Sequence, residues 1–258
     1  MKRMPVLFAG HGSPMIAIEH NEITATLQQL GQMVVEQFGK PKGILMISAH
    51  WYTRGTWLTD SETPEQIYDM YGFPQKLYDL KYPAKGDPQL AHEAASLIGA
   101  DAHCTGQWGL DHGSWSLLVH LFPDANIPVV QLSVNGELTP RQIFELGQKL
   151  IPLREKGILI IGSGALVHNL SVLIPGAQGA LPQAAQFHHF VNKSLADQDI
   201  DALLEFENHP DAQFANPTPE HFLPLLYVLG ASDHETPAIF NETIQSGAVD
   251  MTGFAFGF

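Results

Sequence analysis

Residues 5–14, Pro5-Val6-Leu7-Phe8-Ala9-Gly10-His11-Gly12-Ser13-Pro14, carry the pattern that decides the fold. Residues 5–9 are apolar without alternation, which suits a strand covered on both faces, and the chain then turns at two glycines that bracket a histidine. The same order, an apolar run followed by glycine, serine or histidine, recurs at residues 44–47, 127–132 and 158–161. The intervening segments have room for helices. This is the α/β pattern: one domain over residues 1–258, with a central, mostly parallel or mixed sheet flanked by helices.

Helix starts support that reading. Asp87-Pro88 and Thr139-Pro140 each offer an N-cap followed by proline in the first turn, and Gln142 completes a capping box with Thr139. Further helices are expected over residues 21–38, 114–122, 182–195 and 199–207. Between residues 53 and 88, Pro64, Gly72, Pro74, Pro83 and Gly86 punctuate a stretch rich in Tyr68, Tyr71, Phe73, Tyr78 and Tyr82. It reads either as an excursion that walls a pocket or as an aromatic cluster steadying a long loop. Residues 248–258, with Phe254, Phe256 and Phe258 on one side, read as a last strand at the sheet edge.

Composition narrows the function. Hydrophobic residues make up 45% of the 258 and charged ones 16%, enough apolar surface for one sizeable core. A net charge of −14, with 13 scattered Lys and Arg, argues against nucleic acid and anionic membrane surfaces as partners. Cys104 is the only cysteine, which excludes an intrachain disulfide and a thiolate zinc cluster of the finger type. The first apolar stretch ends at Gly10, too short for a signal sequence, and no apolar run approaches the ~20 residues of a membrane span. A cytoplasmic location is expected.

Thirteen histidines supply the chemistry, and their positions matter more than their number. Ligands of open α/β sheets bind beyond the carboxyl ends of the strands. His11 follows the first run between glycines, as a solvated turn residue or a metal ligand. His50 follows the second in Ser48-Ala49-His50-Trp51, where its ring nitrogens need either a carbonyl or an ion. His168 lies beyond the fourth in Gly162-Ser163-Gly164-Ala165-Leu166-Val167-His168, whose glycines permit close backbone approach. Neutral imidazole is the commonest metal ligand, and loops at one sheet rim converge.

His221 follows Thr218-Pro219-Glu220, where Thr218 offers a cap and Phe222, Leu225, Leu226 and Leu229 form an apolar helical face. It is either a surface residue or one anchored on a firm element, and Pro224 is expected to disturb that helix. His112, between Trp108 and Trp115, suits a proton donor or a substrate hydrogen bond; Asp111 is not its partner, because neighbouring side chains diverge. His20, His92, His103, His120, His188, His189, His209 and His234 read as structural or solvated.

In order along the chain, Gly10-His11-Gly12-Ser13-Pro14, Ser48-Ala49-His50-Trp51, Gly109-Leu110-Asp111-His112-Gly113-Ser114-Trp115, Val167-His168-Asn169-Leu170 and Asn216-Pro217-Thr218-Pro219-Glu220-His221 resemble the motifs of the DOPA 4,5-extradiol dioxygenase family. The resemblance spans nearly the whole chain. It implies a class III extradiol dioxygenase-like fold and one divalent metal ion per chain, with His11, His50 and His221 as ligands. His168 becomes the catalytic base or a fourth ligand, and His112 a substrate-side acid or base.

The implied reaction opens a catechol ring with O2, the partners being a small aromatic substrate and O2. Better-known members of the superfamily use a glutamate as third ligand, whereas His221, beside Glu220, stands there in this chain. An all-histidine set also suits Zn(II), so Fe(II) is expected in the active form and Zn(II) after purification. Trp51 and the aromatic excursion are expected to stack on the substrate ring. The competing readings are a zinc-dependent hydrolase with His168 as base, a tetrapyrrole metal chelatase, and a non-catalytic relative that binds in the same pocket. The chelatase accounts for His11 but for none of the other motifs.

Overall fold

The structure is a computed structural model that describes residues 2–177 and 179–258. Its strands are β1 (Val6–Gly10), β2 (Gly43–Thr53), β3 (Thr56–Thr59), β4 (Ala102–Thr105), β5 (Val129–Asn135), β6 (Ile158–Gly164), β7 (Pro237–Phe240), β8 (Ile244–Gln245), β9 (Val249–Asp250) and β10 (Gly253–Phe256). Eight form one sheet in the order β4-β3-β5-β2-β6-β1-β10-β7, while β8 and β9 pair separately. The four apolar runs are the contiguous parallel centre, β5-β2-β6-β1. Antiparallel β3 on one side and β10 and β7 on the other make the sheet mixed.

The central strands carry long apolar runs because both faces are covered. Val6, Phe8, Leu45 and Ile47 enter one core layer, and their neighbours Leu7, Ala9, Ile44 and Met46 enter the other. The first layer packs on the helices Pro88–Ile98, Pro140–Lys149, Pro182–Ala196 and Leu223–Ser232. The second packs on Glu22–Phe38, His112–Leu121 and residues Leu77 and Tyr82 of the punctuated stretch. No helix among the described residues is long and apolar enough to cross a membrane.

The capping signals hold. Asp87 accepts a hydrogen bond from Leu90 N at 3.0 Å, and Thr139 and Gln142 form the reciprocal box. Asn21 and Thr24 form a second box at the start of Glu22–Phe38, satisfying end groups that a helix leaves unpaired. The expected helix over residues 199–207 is instead a short helix, Ile200–Leu204, and a separate 3₁₀ turn, Phe206–Asn208.

Three expectations are corrected. The last strand, β10, is internal: β7 is the edge, and Phe254 and Phe256 are buried because the chain beside them pairs on both sides. Pro224 does not disturb its helix, since it falls in the first turn of Leu223–Ser232, where an amide donor would have no intrahelical partner. That helix is buried on every side, not on one face. It lies so close to β6 that a Cβ on Gly162 would sit 2.8 Å from Pro224 O.

Candidate active site

The carboxyl rim of β1, β2 and β6 gathers five histidines. His11 follows β1, where Gly10 lets the chain pass Met251 and Gly12 takes a left-handed φ of +56°. His50 does not follow its strand, as expected, but lies within β2: the register with β5 shifts between Ser48 and Tyr52, and this bulge re-aims the ring. Gly113 makes room for it, because a Cβ there would stand 2.9 Å from His50 Cδ2. His112 opens the helix His112–Leu121, His168 lies past β6, and His221 ends the 3₁₀ turn Pro219–His221. Ring centroids of His11, His50 and His221 form a near-equilateral triangle of 4.9, 5.1 and 5.3 Å.

Hydrogen bonds and close carboxylate contacts assign the outer nitrogens of these rings. Ser163 Oγ donates to Gly113 O at 2.6 Å and therefore accepts from His11 Nδ1 at 2.9 Å, leaving the His11 Nε2 lone pair free. His50 Nδ1 faces Asp69 Oδ2 at 3.3 Å, and His221 Nδ1 faces Glu220 Oε1 at 3.3 Å. The inner atoms then meet: His11 Nε2 and His50 Nε2 are 3.0 Å apart, and His221 Nε2 is buried without a hydrogen-bond partner among the described residues. Bare lone pairs at that separation repel unless a positive charge lies between them, so the donor set fits a cation.

Electrostatics keep the rings in the ligating form. Burial, then His50 and the other imidazoles, hold His11 well below the ordinary histidine value. Burial followed by His112 brings His50 to about 2, and burial followed by His221 brings His168 to about 3. His221 is lowered by burial against the opposing pull of Glu220. For Asp69, burial pushes upward, but contacts with His112 and then His50 prevail and hold the carboxyl below its usual value.

Ligating atoms of His11, His50 and His112 lie within 4.8 Å of one another, as do those of His168, Glu220 and His221. The rim thus brings together every histidine singled out from the sequence, yet it sets His112 nearer His50, with centroids 3.8 Å apart, than the implied ligand His221. His168 stacks on His221 at 3.5 Å and 9°, partly exposed to a cavity of about 390 Å3. A larger groove of about 510 Å3, between the helix Glu22–Phe38 and the segment after His120, contains none of these five rings.

Met70 and Phe73, from the punctuated stretch, line the histidine cavity with Leu170 and Leu173. That stretch is therefore both a pocket wall and an aromatic cluster, in which Tyr68 approaches Tyr78 and Trp115. Trp51 is corrected: it is buried, stacks on Trp108 at 5.7 Å, and takes no part in the lining. Thr218 forms no cap, and its hydroxyl donates to Glu220 Oε1 at 2.8 Å, steadying the carboxylate beside His221.

Sequence reasoning missed two carboxylates. Asp69 accepts from His112 N at 2.9 Å and lies 3.0 Å from His112 Nδ1, the latter without the alignment of a hydrogen bond. No local motif marks Asp69. Asp111 accepts from Ser48 Oγ at 2.7 Å, from Ser114 N at 3.1 Å and from Gln131 Nε2, tying β2 and β5 to the helix that bears His112. The capping pattern Asp111-His112-Gly113-Ser114 was the available signal for it.

Residues 5–257 match the family described as the catalytic LigB subunit of aromatic ring-opening dioxygenase. Over 262 aligned residues the chain is 43% identical to the 4,5-DOPA dioxygenase extradiol of Escherichia coli strain K12, covering 99% of this chain and 95% of that protein. It is 36% identical to the protein of the same name from Beta vulgaris, with 96% of this chain and 95% of the relative covered. A crystal structure of an uncharacterized Escherichia coli K12 protein matches with a TM-score of 0.83 and 37% identity, over 99% of this chain and all of that one. None of these likenesses favours a hydrolase or a chelatase. The chain belongs to the LigB family of aromatic ring-opening enzymes and is a metal-dependent extradiol dioxygenase.

Proposed function

We propose that residues 1–258 act as one catalytic unit that opens the ring of a DOPA-like catechol with O2 at a single divalent ion held by His11, His50 and His221. The observation that carries this reading is the 3.0 Å approach of two imidazole nitrogens beside the buried Nε2 of His221, which has no hydrogen-bond partner among the described residues. When bound, the ion supplies a Lewis-acidic anchor for the catechol oxygens and, as Fe(II), redox capacity that Zn(II) lacks. Fe(II) is accordingly the active ion and Zn(II) the occupant after purification. A cytoplasmic setting suits a chain with one cysteine.

The remaining work falls to the chain. The neutral ring of His168, facing the cavity, accepts a proton from a catechol hydroxyl. His112, beside Asp69, delivers a proton to an oxygen of the opening ring. Phe73, Met70, Leu170 and Leu173 enclose the aromatic face and limit water, the role first expected of Trp51. Both atoms of O2 enter the product, so no external reductant is consumed. Support for DOPA-like substrates comes from the names of the relatives.

The test loads the chain anaerobically with Fe(II), adds L-DOPA or caffeate, and admits air. Equimolar O2 uptake and a yellow ring-fission product are expected, and neither with Zn(II). Absence of O2 uptake across several catechols in the Fe(II) form would overturn the reading.

A further inference from the structure

The opposite rim of the sheet carries a second set of ligating side chains. β3 runs antiparallel to β5, so its carboxyl end points away from the rim that bears the histidine cluster. Asp60 follows that end, its N–H donating to Thr105 O at 3.1 Å. On β4, Cys104 is the register partner of Leu58. Asp60 stands two residues beyond Leu58, and extended side chains two apart share a face.

The helix Pro88–Ile98 covers that face, its Leu90, Ala91 and Ala94 packing in the same core layer as Leu58. His92 lies on this helix, exposed at its flank. One carboxylate oxygen of Asp60, one ring nitrogen of His92 and Sγ of Cys104, a free thiol, lie within 4.8 Å of one another. A strand end, an edge strand and a helix, distant in sequence, thus converge on one point.

We propose that Asp60, His92 and Cys104 form a second metal site, for a borderline-soft divalent ion such as Zn(II), with water completing the coordination. The donor set selects the ion: a thiolate and an imidazole disfavour Mg(II) and Ca(II), and three protein ligands with one open position are a common zinc arrangement. Bonds of ~2.0–2.3 Å require the three donors to draw slightly closer, which the exposed His92 can accommodate by rotating. An ion there clips the edge strand β4 to the helix above it. The site shares no residue with the histidine cluster.

Cys104 is the only cysteine, so the rate at which the folded chain reacts with Ellman's reagent reports on this site alone. Zn(II) is expected to slow that reaction by about tenfold or more, reversibly on adding a chelator, because a coordinated thiolate is withdrawn from attack. Co(II) is expected to give a thiolate-to-metal charge-transfer band. His92→Ala and Asp60→Asn, both at solvent-accessible positions, should keep a reactive thiol and lose the protection and the band. An unchanged thiol rate with Zn(II) in the parent chain, or equal protection in both variants, would refute the site. Neither readout involves ring opening, so the result is independent of the proposed reaction.

Discussion

Two histidine sites flank the short strand β9, and the proton affinity of the same side chain is shifted in opposite directions on the two sides. Val249 faces the cavity of the cluster, where burial and mutual repulsion hold His11, His50, His168 and His221 neutral. Asp250, the next residue, is fully buried and meets His188 Nδ1 at 2.8 Å. That hydrogen bond raises His188 above the ordinary value against the opposing effect of burial, with Glu242 assisting. Imidazoles that face one another in a buried cluster hold each other toward the neutral, ligating form, whereas a buried carboxylate within hydrogen-bond reach favours the charged form. Asp69 shows the balance inside the cluster: its carboxylate favours the charged form of His50, yet burial and His112 outweigh it.

The largest expected effect tests the neutral side. His50→Ala should lose the bound ion and more than ~100-fold of ring-opening activity, whereas His168→Ala keeps most of the ion and loses turnover. Metal analysis beside O2 uptake separates the two, and equal metal loss in both would make His168 a ligand. Next is Asp69→Asn, which keeps the shape but removes the charge beside His50 and His112. A fall of about 10–100-fold in metal affinity or turnover is expected, and wild-type behaviour would deny Asp69 an orienting role.

The charge contrast itself is read in stability against pH. In metal-free protein His11, His50, His168 and His221 have folded values below their unfolded value of about 6.5, so below that pH the unfolded chain binds protons that the folded chain refuses. Stability should fall with acidification, by up to ~1.4 kcal/mol per pH unit for each such histidine, until the folded values near 3 for His168 and 2 for His50 are passed. His188 acts in the opposite sense. Its contribution is complete below its unfolded value and disappears as pH rises through its raised folded value. His188→Ala should therefore cost about 1–2 kcal/mol in mildly acidic solution and much less in alkali, as read from urea midpoints. A cost independent of pH would show that packing, not charge, is what His188 supplies.

The central sheet was legible because burial on both faces leaves unbroken apolar runs, and the helix starts because caps are local chemistry. β3, β4 and β7 were not legible. Each has four residues and carries little apolar signal, as in Thr56-Trp57-Leu58-Thr59, and each depends on an edge offered by a distant segment: β5 for β3, β3 for β4 and β10 for β7. The site divides in the same way. His11 and His168 follow runs that could be read, while the bulge that aims His50 exists only relative to β5.

The order of the motifs along the sequence carried the resemblance to the family, and with it the expectation of five site histidines and a metal, since each motif is a few adjacent residues that can be matched without knowing what lies beside them. Only the tertiary structure decided which carboxylate serves which ring: Asp69 for His112 and His50, Glu220 for His221, and Asp250 for His188. Except for Glu220, these partners come from segments 19 to 62 residues away in the chain. Proton affinity depends on distances of a few ångströms through a poorly screening interior, and those distances are set by packing.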